Sequence, residues 1–339
     1  MKLELRSVRL KNCGPIDDIK IDFFDASGKT LPVCVIGGAN GSGKTTMIEA
    51  IVSLANVLEG DDPGAFLNSK HQYYVQADWL IDGVEFSLFR GVLPPDAILK
   101  KEYYGMQLTR NLERKSGPFY MGERKSTLFY TRLRQRISEQ QDNLALRQLS
   151  ENSFPADTYV PSILYLPHRR GLEPVSGSQI QKEEDRYKFV NRFQIGQEFP
   201  GSLTSYLIWL DYAEPERFAG TQRFLNSLDF EGKTFHIDRR ALDVVVKTAN
   251  EQQHSLHELS SGEQNLLIIL IELQRKLLPG SVVLIDEIEN SLHPAYQHRL
   301  AQGLLALQRE IPYQLIVTTH APAFVEIFGE ENTRILTPF

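Results

Sequence analysis

Apolar and polar residues alternate over residues 2–10 and again over 19–24, on either side of the turn-prone run Asn12-Cys13-Gly14-Pro15. That pattern predicts an antiparallel pair of strands. Residues 31–36 break the alternation, because Leu-Pro-Val-Cys-Val-Ile is nearly all apolar and suits a strand covered on both faces. From 46 to 58 the spacing becomes helical, with Met47, Ile48, Ala50, Ile51, Leu54, Ala55 and Leu58 on the apolar side. The helix ends near Gly60, and Asp61-Asp62-Pro63-Gly64 reads as a loop. Two strand-like runs, 73–81 and 84–89, flank Asp82-Gly83 and predict a tight hairpin.

Further along, 131–149 reads as a helix with Leu133, Ile137, Leu144 and Leu146 among Arg and Gln, too short for a long coiled-coil arm. Residues 159–166 form a strand returning to the sheet, and 177–192 is polar and loose. Residues 203–210 and 216–228 make a small helical lobe, with Trp209, Tyr212, Phe218 and Phe224 as its expected core. Strand-like runs at 234–237 and 242–247 precede an apolar helix at 266–278 and buried strands at 281–285 and 313–318. The sum is an α/β protein with a core sheet, an antiparallel β subdomain and a smaller helical lobe.

Composition narrows the class. The formal net charge of −6 over 339 residues does not suit a protein that coats polyanions, so any nucleic-acid contact must be regional. One region fits: residues 100–136 carry ten Lys or Arg against three Glu. Two readings stay open there, a solvated insertion and a surface for a phosphate backbone or acidic partner. With only Cys13 and Cys34 and no metal-type spacing, disulfide and zinc scaffolds are excluded, and a reducing, cytoplasmic setting is expected. The longest apolar run, 266–271, is broken by Glu272, so no membrane span is expected.

The chemistry begins at Gly38-Ala39-Asn40-Gly41-Ser42-Gly43-Lys44-Thr45, which fits G-x-x-x-x-G-K-[ST] between the predicted strand and helix. A polyphosphate must be wrapped by backbone N–H groups that side chains would obstruct, hence the glycines. Lys44 reaches the β and γ phosphates, the Thr45 hydroxyl ligates Mg²⁺, and Thr46 continues into the anion-binding helix start.

A second helix start, Ser260-Ser261-Gly262-Glu263, has capping-box spacing and lacks its own lysine. Beside a phosphate loop it reads as a second phosphate-binding terminus, with Ser260 and the Gly262 backbone facing the anion. The strand at 281–285 runs into Asp286-Glu287: Asp286 is expected to hold Mg²⁺ through water, and Glu287 to act as general base on the attacking water. His320, at the end of the last strand, suits a contact to the γ-phosphate or to water, whereas His293 fixes a turn. The loop Pro167-His168-Arg169-Arg170-Gly171 is either a lining of the nucleotide site or a basic surface turn.

The ordered set GANGSGKT, LSSGEQ, VVLIDE, ENSLHP and TTHAP resembles the ABC class of ATPases, in the branch of the SMC and RecF-type proteins. It is especially similar to predicted ATPases related to the overcoming-lysogenization-defect (OLD) nucleases, as found in anti-phage defence. The likeness covers about 1–60 and 240–339. It implies one ABC-type ATPase domain over 1–339: phosphate-loop core and antiparallel sheet (1–99), basic helical insertion (100–158), returning strand, helical lobe and strands (159–258), and signature to switch histidine (259–339). It also implies Mg-ATP hydrolysis, and a homodimer, or a higher oligomer built on it, in which the loop of one copy and Ser260-Ser261-Gly262 of the other sandwich ATP. Asn290 and Ser291 would then lie at the seam, and His320 would be the switch histidine. More than two hundred residues separate Lys44 from Ser260, which sets the chain apart from transporter subunits. With the chain ending at Phe339, no Toprim nuclease is expected to follow. The expected role is a switch for a separate nuclease or toxin effector in anti-phage defence, with a DNA-binding repair or recombination ATPase, contacting DNA or RNA through 100–136, as the alternative.

Overall fold

A computed structural model of the chain describes residues 1–60, 69–111, 119–143, 159–172, 187–195, 202–227 and 232–337. The loop expected at 61–64, the end of the helix expected at 131–149, and residues 177–186 lie outside them.

The core sheet is parallel throughout, in the order β15-β3-β14-β13-β8-β9. Its strands are β3 (Val33–Gly37), β8 (Ile163–Leu166), β9 (Val190–Arg192), β13 (Val282–Ile285), β14 (Gln314–Thr319) and β15 (Thr333–Ile335). β3, β13 and β14 are buried along their whole length, which is why they read as apolar runs rather than alternations. The period of two still operates: Cys34, Ile36, Val282 and Leu284 enter one core, and Val33, Val35, Val283 and Ile285 enter the other.

The first core lies between this sheet, α1 (Lys44–Asn56) and a six-stranded sheet ordered β2-β1-β4-β5-β6-β7. These strands are β1 (Leu3–Cys13), β2 (Ile16–Asp22), β4 (Ser69–Ile81), β5 (Val84–Gly91), β6 (Glu102–Asn111) and β7 (Phe119–Ser126). The expected pairs form: Leu10 faces Ile19 across β1 and β2, and Ile81 faces Val84 across the Asp82-Gly83 turn, whose residues both have positive φ. Within the expected basic, helical insertion, residues 102–111 and 119–126 are strands. They supply β6 and β7, with β6 added parallel to β5, before α2 (Leu128–Asn143) packs Tyr130, Leu133 and Ile137 into the core.

The second core holds α5 (Ser261–Lys276), α6 (Pro294–Glu310) and α7 (Pro322–Phe328), the helical pair α3 (Leu203–Ala213) and α4 (Pro215–Ser227), and a small sheet of β10 (Thr234–Asp238), β11 (Asp243–Lys247) and β12 (Gln253–Ser255). The lobe's interior differs from expectation. Tyr206, Leu207 and Leu210 form the inward face of α3, which leaves Trp209 half-buried and Tyr212 69% exposed. Phe218 is buried as expected, and Phe224 packs from the rim. Cys13 and Cys34 are free and buried, and burial pushes their thiols up to about 11 and about 12, so both are packing residues. Among the described residues no helix is long and apolar enough to cross a membrane.

Candidate active site

Because β3, β14, β13 and β8 run in one direction, the segments that leave them emerge at one edge of the sheet. The glycine loop follows β3, Thr319-His320 ends β14, Asp286-Glu287 follows β13 and Pro167–Gly171 follows β8. Motifs scattered through the sequence are therefore neighbours.

In the loop, Ala39, Asn40 and Gly41 are exposed, Gly38 is half-buried, and Ser42, Gly43 and Lys44 are buried. Gly43 adopts φ +97°, and a Cβ there would lie 2.6 Å from Ile16, so only glycine can turn the loop into α1. No side chain caps the start of α1 and no acid lies in its first turn, so its N–H groups are open to an anion. Lys44 Nζ donates to the carbonyls of Gly38 (2.9 Å) and Ala39 (3.0 Å), folded back over the loop. Burial lowers the pKa of Lys44, opposed by the carboxylates of Glu287, Asp286 and Glu289. The buried Ser42 hydroxyl oxygen has no partner, which fits a site completed by phosphate oxygens.

Thr45 Oγ1 donates to Asp286 Oδ2 at 2.7 Å, tying the loop to the carboxylate strand across 241 residues, while Thr46 is half-buried behind it. Asp286 is fully buried, and its other oxygen accepts from Thr318 Oγ1 at 2.6 Å. Glu287 is half-buried at φ +46°, an uncommon conformation for this residue type. Two residues hold it there, Thr318, which sequence reasoning missed, and Arg170, from the loop read as a possible lining of the site. Thr318 Oγ1 accepts from the Glu287 N–H at 2.7 Å, and Arg170 donates to the carbonyls of Asp286 and Glu287, each at 2.8 Å.

Arg170 also donates to the carbonyls of Leu166 and Pro167 and to Asn265 Oδ1 on α5, and Asn265 Nδ2 in turn donates to the Asn290 carbonyl. Burial lowers the Arg170 pKa to about 10, against the pull of Asp286, Glu289, Tyr165 and Glu287, so it stays charged at neutral pH. The loop after β8 thus lines the carboxylate end rather than forming a surface turn. His320 is exposed, and its N–H donates to Glu289 Oε1 at 2.6 Å, a partner absent from the sequence reading. His293 caps α6, its Nδ1 accepting from the Ala295 N–H at 3.3 Å, as expected of a turn residue.

At the start of α5 the capping box forms: Ser260 N donates to Glu263 Oε2 at 3.1 Å and Ser260 Oγ accepts from Glu263 N. Glu263 is buried and paired with Lys233. Ser260 and Ser261 are exposed, whereas Gly262 is buried so close to the Ser291 carbonyl that a Cβ would lie 2.5 Å from it. The Asn290 side chain turns inward and donates to the His168 carbonyl at 2.6 Å, leaving Ser291 exposed.

The site thus joins a phosphate-shaped backbone cradle to Thr45 and Asp286. Among the described residues no group of three or more His, Cys, Asp or Glu side chains is arranged to hold a metal alone. That donor set fits Mg²⁺, which takes few protein oxygens and completes its shell with substrate phosphates and water.

A family profile described as "AAA domain, putative AbiEii toxin, Type IV TA system" matches residues 33–326, which takes in every one of these motifs. Two curated relatives are similar in part: the Retron Ec83 probable ATPase of Escherichia coli, 33% identical over 111 residues, and the Retron Vc95 probable ATPase of Vibrio cholerae serotype O1 biovar El Tor, 31% identical over 116. The matches cover 30% and 31% of this chain, and only 20% and 21% of the relatives' own length. Among solved structures, the SMC head domain from Thermotoga maritima matches with a TM-score of 0.44 and 18% identity. An SMC head bound to the C-winged helix domain of ScpA matches with 0.48 and 14%. Each alignment covers 96% of this chain and 92% of the other.

Proposed function

The chain belongs to this family of AAA domains, and on that premise we propose that it binds Mg-ATP and hydrolyses it as a dimer that switches a separate effector. The observation that carries the reading is the 2.7 Å contact between Thr45 and Asp286, which sets the phosphate loop against the carboxylate pair. On this reading the loop amides and Lys44 hold the β and γ phosphates, exchanging the carbonyls of Gly38 and Ala39 for phosphate oxygens. Thr45 and Asp286 would hold the cation, which would supply positive charge against the transferred phosphoryl group. Glu287 takes a proton from the attacking water, and its constrained backbone fixes where the carboxylate points. His320 contacts the γ-phosphate or the water, on a backbone fixed by Glu289.

The exposed Ser260 and Ser261 support a site completed by a second copy, because they place an anion-binding helix start at the surface. The family description and the names of the retron relatives favour a defence setting, in which the effector is a nuclease or toxin. Replacing Glu287 with Gln should leave ATP binding intact and slow turnover by about 10²-fold or more, whereas Lys44→Ala should weaken binding itself. Unchanged turnover in the Gln variant would remove Glu287 as the base.

A second reading, a DNA-binding ATPase of repair or recombination, is favoured by the exposure of Arg124, Arg132 and Arg134 on β7 and α2. It requires duplex binding that weakens steeply with salt and falls when these arginines are neutralised. Salt-independent or absent binding would dismiss it.

A further inference from the structure

The loop after β8 holds one more polar group aimed at the carboxylate end. His168 Nδ1 is buried and has no hydrogen-bond partner, although the ring as a whole is 41% exposed. It lies 3.6 Å from Asp286 Oδ2, too far for a hydrogen bond, and that oxygen already accepts from Thr45 Oγ1. Buried polar atoms are ordinarily satisfied, so an unpartnered nitrogen beside this carboxylate points to a group that the chain itself does not supply. Octahedral cations of this kind hold ligands at about 2.1 Å, which puts neighbouring ligands about 3 Å apart and opposite ones about 4 Å apart. The observed 3.6 Å separation is about 0.6 Å wider than neighbouring ligands stand, a gap that a small rotation of the ring closes.

The loop is also held firmly. The His168 carbonyl accepts from Asn290, and Arg170, two residues on, is anchored to the carbonyls of Asp286 and Glu287. The backbone that carries the ring is therefore held in place before any ion arrives.

Resting on the Mg-ATP reading above, we propose that His168 supplies a nitrogen ligand to the cation held by Thr45 and Asp286, and so shifts that site toward first-row transition ions relative to Mg²⁺. Oxygen donors suit Mg²⁺, and an imidazole raises affinity for first-row divalent ions more than for Mg²⁺.

The test uses Mn²⁺ with ADP on the full chain carrying ¹⁵N-histidine, read by pulsed electron paramagnetic resonance. A directly bonded ¹⁵N coupling is expected, lost in His168→Gln and kept in His320→Ala. Competition between Mn²⁺ and Mg²⁺ on the ADP complex should show the preference for Mn²⁺ falling about tenfold in His168→Gln. Bound Mn²⁺ without histidine coupling in the unaltered chain would overturn the proposal while leaving the nucleotide site intact, and this result does not depend on any variant folding. Coupling retained in His168→Gln, or an unchanged preference, would overturn it equally. Failure of Mn²⁺ and ADP to bind the unaltered chain would overturn the nucleotide-site reading along with it.

Discussion

Glu263 shows how one side chain serves two structures at once. Burial pushes its carboxyl up, but the Lys233 ammonium and the Ser260 hydroxyl and amide pull it down further, and the net shift is below the usual 4.5. A carboxylate with a depressed folded-state pKa adds stability above its unfolded pKa and loses it as pH falls through the folded one. Lys233→Met should therefore cost about 2 kcal/mol at neutral pH, with the gap to the unaltered chain closing as pH drops below 4.5, measured by denaturant unfolding. A gap that stays constant into acid would show that Lys233 acts through packing alone. The residues most legible in the sequence were those whose role is local: the glycine loop, the capping box and the Asp286-Glu287 pair each announce themselves within a few positions. The loop of Arg170 was legible as one of two readings, but its partners, and the roles of Thr318 and Glu289, were not, because each acts on a segment remote in sequence; Arg170 donates to a carbonyl 117 residues away.

Among the elements, strands buried on both faces and the amphipathic helix α1 were read from hydrophobic spacing, because that spacing is what burial selects. β6 and β7 escaped notice for the opposite reason. In 119–126 Gly122, Arg124 and Ser126 stand where an alternating strand would carry apolar residues, while the alternation of Tyr104, Met106 and Leu108 in β6 was passed over in a segment read by its charge. Tyr212 was misplaced because aromatic count alone does not say which side of α3 faces inward. The junction of elements that matters most is the one Arg170 makes between β8, the segment after β13 and α5. Arg170→Ala should destabilise the chain by about 3 kcal/mol, since it strands several enclosed acceptors. It should also lower turnover, by freeing the Glu287 backbone from its left-handed conformation. Unfolding curves and single-turnover rates check the two effects separately, and an unaltered stability would mean that water replaces the guanidinium.

For the whole molecule, the parallel sheet explains why one edge collects the phosphate loop, both carboxylates and His320, while Ser260 and Ser261 face solvent at the start of α5. In the proposed dimer each nucleotide is bound by the loop of one copy and the exposed serines of the other, so closure depends on ATP and on both surfaces. A bulky cation at position 260 should block closure without touching the phosphate loop: Ser260→Arg should bind ATP as a monomer. The most direct test is the native mass of Glu287→Gln with Mg-ATP, beside the same protein carrying Ser260→Arg. The account predicts a dimer holding two ATP molecules in the first and a nucleotide-bound monomer in the second; a Glu287→Gln protein that binds ATP yet stays monomeric at every concentration would contradict it.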